Sequence, residues 1–170
     1  MATLVKPRRK TYKQIRIPLI PEDAASLAGL LKATTFATEQ DLIRYGALPF
    51  YLSLLVAKDG GRNCIVLEDT IKKRSHQLAI IASKVEIDAR QHTGSSMPGM
   101  VLRLKGSEYV ESLFESIRIH GPEGAEAVVR MALSLYGSVV REMANGYKPM
   151  ATTPTRVRIP LAVPGYRYTQ

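Results

Sequence analysis

The side chains best suited to nucleophilic or metal chemistry are scattered along this sequence. Residues 92–96 (His-Thr-Gly-Ser-Ser) contain nucleophile types, but no base is positioned beside them, and a linker is the better interpretation. The sequence has no phosphate-binding loop and no nucleophile elbow. We therefore predict no catalytic residues, no cofactor and a protein that is not an enzyme. We also predict no metal site, because zinc-type spacing is missing among Cys64, His76, His92 and His120.

The positive charge of the chain is concentrated at its two ends. The net charge is +9, yet residues 21–150 carry 15 basic and 15 acidic side chains and are neutral. Residues 1–20 hold six basic side chains and residues 151–170 hold three, with no acid in either segment. Basic arms on a neutral body are typical of proteins that bind polyanions, whereas the alternative is a solvated tail that only aids solubility. We expect nucleic acid to be bound by the N-terminal arm through Lys6, Arg8, Arg9, Lys10 and Lys13.

The sequence predicts a cytoplasmic protein that does not enter membranes. Its ten N-terminal residues lack the apolar stretch of a signal peptide. The longest apolar run, residues 46–57, is interrupted by Pro49 and Ser53 and is shorter than the roughly 20 residues of a membrane helix. The single cysteine cannot form an internal disulfide, which favours a reducing compartment.

Two segments of the sequence resemble each other. Residues 22–60 and 108–146 align without gaps at an offset of 86 residues. Apolar positions fall on apolar positions across both predicted helices, and Ile43-Arg44 falls on Val129-Arg130. Each copy therefore predicts two consecutive amphipathic helices.

A short strand precedes the helices in each copy. Here the offset becomes 87, so that Ile15-Arg16-Ile17 aligns with Leu102-Arg103-Leu104. One extra residue in the first copy, near Pro18 and Pro21, explains the change. The alternation of apolar and basic residues is typical of a strand with one buried face.

The second copy has the clearer helical pattern. Its first helix follows Ser107, a suitable N-cap, and ends at the break His120-Gly121-Pro122. Its second helix ends at Asn145-Gly146, since both residues tolerate a left-handed conformation. The predicted core positions are Val110, Leu113, Phe114 and Ile117, followed by Ala125, Val128, Val129, Ala132, Tyr136, Val139, Val140 and Met143.

The first copy has a similar helical pattern, but it contains a proline within its second helix. Thr38 and Asp41 resemble a capping arrangement at the start of its second helix, which runs towards Asp59-Gly60-Gly61. Pro49 falls inside that helix, where a proline costs roughly 3 kcal/mol, so we expect a kink or an early helix end. The predicted core positions are Ala24, Leu27, Ala28 and Leu31, followed by Leu42, Tyr45, Leu48, Leu52 and Leu55.

The residues between the copies predict a hairpin and a linker. Asn63–Glu68 and Gln77–Ile81 have strand composition and flank the basic turn 72–74. Residues 82–99 end in a flexible sequence rich in glycine and serine. The predicted fold is α+β, mainly α with short β. Its segments are 1–12 (basic arm), 13–61 (first module), 62–99 (hairpin and linker), 100–147 (second module) and 148–170 (basic C-terminal arm with a strand).

The order strand, helix, helix, carried by Ile15 to Gly60 and by Leu102 to Gly146, resembles the ribbon-helix-helix (MetJ/Arc-type) family. Two such units in one chain are similar to the accessory DNA-binding proteins of conjugative plasmids. The resemblance covers a little over half of the chain. It implies that two strands pair into an antiparallel ribbon that enters the major groove of double-stranded DNA. The two units could pair within the chain as a pseudo-dimer, or each could pair with its counterpart in a homo-oligomer.

The resemblance also implies which residues meet the DNA. The apolar strand residues would face the core, while Pro18 and Val101 lie on the groove side. The family holds a phosphate with backbone amides at the start of each second helix, which implies contacts near Thr38 and Gly121. Arginine and lysine favour guanine O6 and N7, and glutamine favours adenine. The implied base-reading residues are Gln14, Arg16, Arg103 and Lys105.

Residues 157–161 (Val-Arg-Ile-Pro-Leu) nearly repeat residues 15–19 (Ile-Arg-Ile-Pro-Leu), but no helical pattern follows them. We predict a strand, which covers an edge of the protein's own sheet or adds to the sheet of a neighbouring subunit. The side chains that could also touch nucleic acid here are Arg156, Arg158, Tyr166, Arg167 and Tyr168.

Three functions remain open from the sequence. The leading one is sequence-specific binding of double-stranded DNA, as a transcriptional repressor or a plasmid-transfer accessory protein. The second is a structural protein that assembles through its helices and terminal strands, favoured by the acidic starts of the second helices. The third is nonspecific binding of RNA or single-stranded nucleic acid through the basic arms alone.

Overall fold

Helices and short antiparallel strands form an α+β fold, as predicted. The structure is a computed structural model that describes residues 11–18, 21–59, 64–69, 71–79, 101–120, 124–152, 155 and 157–167. Within them the strands are β1 (Ile15–Pro18), β2 (Cys64–Asp69), β3 (Arg74–Ala79), β4 (Val101–Leu104), β5 (Lys148–Thr152) and β6 (Arg158–Pro160). The helical elements are α1 (Pro21–Ala33), α2 (Glu39–Asp41), a π-helical segment (Leu42–Ala47), α3 (Leu48–Asp59), α4 (Glu108–His120) and α5 (Ala125–Ala144).

Strands β1 and β4 pair antiparallel as a two-stranded ribbon, although they lie far apart in the sequence. Arg16 lies opposite Arg103, and Ile17 lies opposite Leu102. Because side chains alternate along a strand, Ile17, Leu102 and Leu104 are buried while both arginines are exposed. The predicted strands and their buried face are confirmed, and the two strands pair within one chain.

Local signals set the ends of the helices that follow β4. The Ser107 hydroxyl accepts a hydrogen bond from the Val110 amide at 3.2 Å and caps α4, as predicted. Helix α5 ends where Gly146 adopts a positive φ of 90° and donates its amide to the Met143 carbonyl at 3.0 Å. The large apolar side chains predicted for the core in both helices are buried or packed against the core.

The second helix of the first half continues through Pro49 instead of ending there. A π-helical segment precedes the proline, and the Leu48 amide bonds to the Ile43 carbonyl, five residues back. A wider turn of this kind accommodates a proline, which has no amide to donate. The extra residue in the turn rotates the helix face, so that Tyr45 is 52% exposed. Of the two outcomes expected at Pro49, a kink or an early helix end, the early end does not occur, and the predicted core position of Tyr45 was wrong.

Helix α1 buries part of the predicted stripe, and Leu31 packs against the core as expected. Leu27 is buried as expected, but Leu30 is also buried, whereas Ala28 is exposed. Burial of leucine removes more apolar surface from water than burial of alanine, which favours this rotation of the helix. A Cβ on Gly137 of α5 would lie 3.4 Å from Leu30, so the glycine permits close packing of the two helices.

A second, antiparallel sheet has the strand order β3-β2-β5-β6. Strands β2 and β3 form the predicted hairpin, although β3 already begins at Arg74. Asp69 holds the turn, because its Oδ1 accepts the amides of Ile71 and Lys72, each at 3.0 Å. These bonds, chiefly the one from Lys72, lower the pKa of the Asp69 carboxyl. The predicted C-terminal strand is β6, which pairs with β5 of its own chain and so follows the edge-strand alternative.

The residues after β6 are fastened to the end of α1. The Thr35 amide donates to the Gly165 carbonyl at 2.7 Å, and Arg167 donates from Nε to the Thr34 carbonyl at 2.8 Å. The Tyr136 hydroxyl donates to the Pro164 carbonyl. This segment therefore joins α1 to α5. None of the helices in the described ranges combines the length and the apolar character that a bilayer crossing needs.

Candidate nucleic-acid interface

The exposed face of the β1–β4 ribbon carries two directly opposed arginines. Arg16 and Arg103 are register partners, and neither guanidinium bonds to another of the residues that the structure describes. Like charges placed directly opposite each other destabilise a sheet. An anionic ligand would relieve that repulsion, so the pair suits phosphate oxygens or the acceptor edge of guanine.

The same face continues beyond the arginines in both directions. Gln14 and Lys105 are exposed at one end, two residues from Arg16 and Arg103 along their strands, which is the spacing of a shared face. At the other end Pro18 lies opposite Val101, and both are exposed. The structure thus brings all four predicted base-reading residues onto one solvent-facing surface.

Gln40, near the start of the second helix of the first half, binds the free edge of β4. Its Oε1 accepts the Lys105 amide at 3.0 Å, and its Nε2 donates to the Arg103 carbonyl. One side-chain amide therefore satisfies a donor and an acceptor that the two-stranded ribbon leaves unpaired. This contact fixes the backbone that carries Arg103 and Lys105.

Two arginines on the second helices hold the ribbon from opposite ends. Arg44 donates from Nη2 to the Lys105 carbonyl at 2.7 Å, and Arg130 donates to the Pro18 carbonyl. Arg130 also pairs with Glu126 at 3.1 Å. Both contacts cross from one half of the chain to the other. They are also equivalent under the repeat, since Arg44 aligns with Arg130 at offset 86 and Pro18 with Lys105 at offset 87.

An exposed pair of tyrosines lies beside the Lys105 end of the ribbon. Tyr45 and Tyr109 stack with ring centroids 5.7 Å apart and an interplanar angle of 25°. They are 52% and 44% exposed. Desolvation, with a smaller contribution from Tyr45, raises the pKa of the Tyr109 hydroxyl. Tyr109 follows Lys105 by four residues and Tyr45 follows Arg44 directly, so aromatic surface adjoins the basic end.

Thr38, the predicted phosphate contact, caps α2. Its Oγ1 accepts the Asp41 amide at 3.1 Å and donates to the Asp41 carboxylate at 2.8 Å, which confirms the predicted capping arrangement. The hydroxyl is therefore engaged within the chain, and only backbone amides remain for a phosphate there. Lys13 is exposed immediately before Gln14. The other predicted contacts lie outside the described residues: Lys6, Arg8, Arg9, Lys10 and Gly121.

Sequence reasoning missed the residues that support the ribbon. For Arg44 and Arg130 a signal was present, because the repeat aligns two arginines that each follow a buried apolar residue. Gln40 aligns with Glu126, so the repeat contained no signal for it.

In the described part of the chain, no cluster of histidine, cysteine, aspartate and glutamate is arranged to hold a metal ion. The chain matches no protein-family model, no curated protein and no solved structure.

Proposed function

We propose that this protein binds double-stranded DNA in a sequence-specific manner through the β1–β4 ribbon, with two ribbon-helix-helix-like modules paired in one chain. The observation that carries the proposal is the register of Arg16 opposite Arg103 on the exposed face of a ribbon whose other face is buried. The major groove admits a two-stranded ribbon and presents acceptors to arginine and lysine. Such a protein acts in the cytoplasm, as a transcriptional repressor or a plasmid-transfer accessory protein, the roles that the resemblance implies.

The supports of the ribbon favour this proposal. Gln40 and Arg44 hold β4, while Arg130 holds β1, so each second helix contacts the strand of the other half. A ribbon that is held in place before binding loses less conformational entropy when it enters the groove. The basic arm, residues 1–12, carries four basic side chains and no acid, and its positive charge steers the chain to phosphates.

The test is selection from a randomised duplex pool. The full chain would be mixed with the pool at about physiological salt, and the retained DNA would be sequenced. We expect a short enriched motif. Arg16→Ala and Arg103→Ala should each weaken binding to that motif by about 5- to 150-fold, because a base-reading arginine contributes about 1–3 kcal/mol. Arg118→Ala is the matched control, since Arg118 is an exposed arginine near the far end of α4.

Two results would contradict the proposal. Near-wild-type affinity of both ribbon variants would exclude the ribbon as the reading element. Binding without a motif, lost steeply as salt rises, would assign the affinity to the basic arms alone.

The assembly alternative stays open to a separate measurement. The C-terminal strand through which the chain would assemble, β6, pairs with β5 of its own chain, which weakens this alternative. Large, salt-resistant oligomers in light scattering of the purified chain, with little DNA affinity, would favour assembly over DNA binding.

A further inference from the structure

We infer that the ribbon reads a non-palindromic DNA site in one fixed orientation, with purines under one end and thymine methyl groups under the other. This inference rests on the proposed function. It follows from a chemical difference between the ends of a ribbon that is otherwise built from equivalent residues. We call Gln14 and Lys105 the polar end, and Pro18 and Val101 the apolar end.

The two ends occupy equivalent places in the repeat. At offset 87, Gln14 aligns with Val101 and Pro18 aligns with Lys105. Arg16 aligns with Arg103, and these two lie opposite each other in the register. A ribbon with identical halves would present the same side chains at both ends and would read a palindrome. Here the centre is symmetric and the ends are not.

The side chains at the ends determine different base preferences. Lysine donates to guanine O6 and N7, and glutamine makes a bidentate pair with adenine, so the polar end favours purines. Val101 is 46% exposed and Pro18 is exposed beside it. These apolar groups have no hydrogen bond to offer a base edge, and the thymine methyl is the one major-groove group that they complement.

The side chains that hold the backbone of the ribbon also differ between the polar end and the apolar end. Gln40 accepts the amide of Lys105, whereas the equivalent amide does not exist at Pro18, and the residue equivalent to Gln40 is Glu126. Glu126 instead pairs with Arg130 at 3.1 Å and offsets its charge. The apolar end is therefore supported by Arg130, whose charge is offset by Glu126, and the polar end by Arg44 together with the neutral amide of Gln40.

The aromatic pair is also confined to the polar end. Tyr45 and Tyr109 are stacked and about half exposed. Their equivalents in the repeat are Met131, which is 6% exposed, and Asp23. Exposed tyrosines beside Lys105 add a surface for DNA that the described residues of the apolar end do not provide. Three independent differences thus distinguish the same two ends.

The first arm of the experiment uses the unmodified protein. The motif selected from the randomised pool should be non-palindromic, with purines in one half on the strand that faces the polar end. In that duplex, replacing thymine by uracil removes only the C5 methyl. Uracil in the apolar half should weaken binding by about fourfold per contacted methyl, the value of one buried methylene. Uracil in the polar half should leave affinity unchanged.

The second arm makes the ends identical. The double variant Pro18→Lys with Val101→Gln gives both ends the side chains of the polar end, and the selected motif should become palindromic. Ile71→Lys is the matched control, because it adds the same net charge at a residue that is 91% exposed on the hairpin turn. Its motif should stay non-palindromic.

The outcomes separate this inference from the proposed function. A palindromic motif from the unmodified protein, or equal sensitivity of both halves to uracil, would overturn the inference and leave DNA reading by the ribbon intact. A pool that yields no motif at all would overturn the proposed function and the inference with it.

Discussion

Phe50 and Tyr136 occupy equivalent positions in the two halves of the chain, at offset 86, and they pack edge to face in the core. Their ring centroids lie 5.8 Å apart at an interplanar angle of 73°. Arg16 and Arg103, equivalent at offset 87, also lie opposite each other. Residues at equivalent positions of the two halves therefore meet in the core and at the centre of the ribbon.

Phe50→Ala should destabilise the protein by about 3–5 kcal/mol, because the side chain is 1% exposed and its loss leaves a cavity against Tyr136. Urea unfolding followed by circular dichroism measures the change. Ile71→Ala is the control, since a side chain 91% exposed should contribute little. A cost for Phe50→Ala no larger than that of the control would exclude a central role of the aromatic pair in the core.

Arg44→Ala and Arg130→Ala should have similar costs, about 1.5–3 kcal/mol each, because each removes a charged donor from a strand carbonyl. Arg118→Ala should cost less than about 0.5 kcal/mol, since its pair with Glu115 is solvent-exposed. Thermal unfolding of the three variants compares them directly. A loss of stability in only one of the two variants, Arg44→Ala or Arg130→Ala, would contradict equivalent roles of the two contacts.

Gly46→Ala should destabilise the protein by about 1–3 kcal/mol, the usual cost of overpacking a core. A Cβ at this position would lie 2.7 Å from the Phe36 ring, and the same ring crowds Gly165, so it cannot move aside. Gly29→Ala in α1 is the matched control. A Cβ there has no neighbour within 4 Å, so alanine should stabilise the helix by about 0.5–1 kcal/mol. In chemical unfolding we expect the free energy of unfolding to fall for Gly46→Ala and to rise for Gly29→Ala. A change of the same sign in both variants would contradict the packing at Phe36.

The elements that could be predicted are those with local signals. The Ser107 cap, the Gly146 stop and the alternation around Arg16 and Arg103 are each set by neighbouring residues, and the structure confirms all of them. The exposed face of the ribbon could be predicted for the same reason. Its four polar residues are placed by alternation alone, once the strands are known.

The features that were missed depend on distant residues. Strand β5 was not predicted, because Lys148–Thr152 contains a proline and becomes a strand by pairing with β2 and β6. The hydrogen bond from the Lys105 amide to the Gln40 side chain joins residues 65 positions apart, and no local pattern marks such a pair. Tertiary contacts therefore decide how the ribbon is held, while local patterns decide where it lies.

Raising the pH above 10 should destabilise the protein, because Tyr51 and Tyr136 are buried as neutral phenols. Burial raises the pKa of Tyr51 to about 12 and also raises that of Tyr136. In the unfolded chain both groups ionise near pH 10, so their stabilising effect is complete below pH 10 and is lost as the pH rises towards 12. For Tyr51 the loss amounts to ~3 kcal/mol across that window. Urea unfolding at several pH values from 8 to about 12 measures it. Tyr51→Phe should flatten the profile, and a variant with the slope of the unmodified protein would show that Tyr51 ionises freely in the folded state.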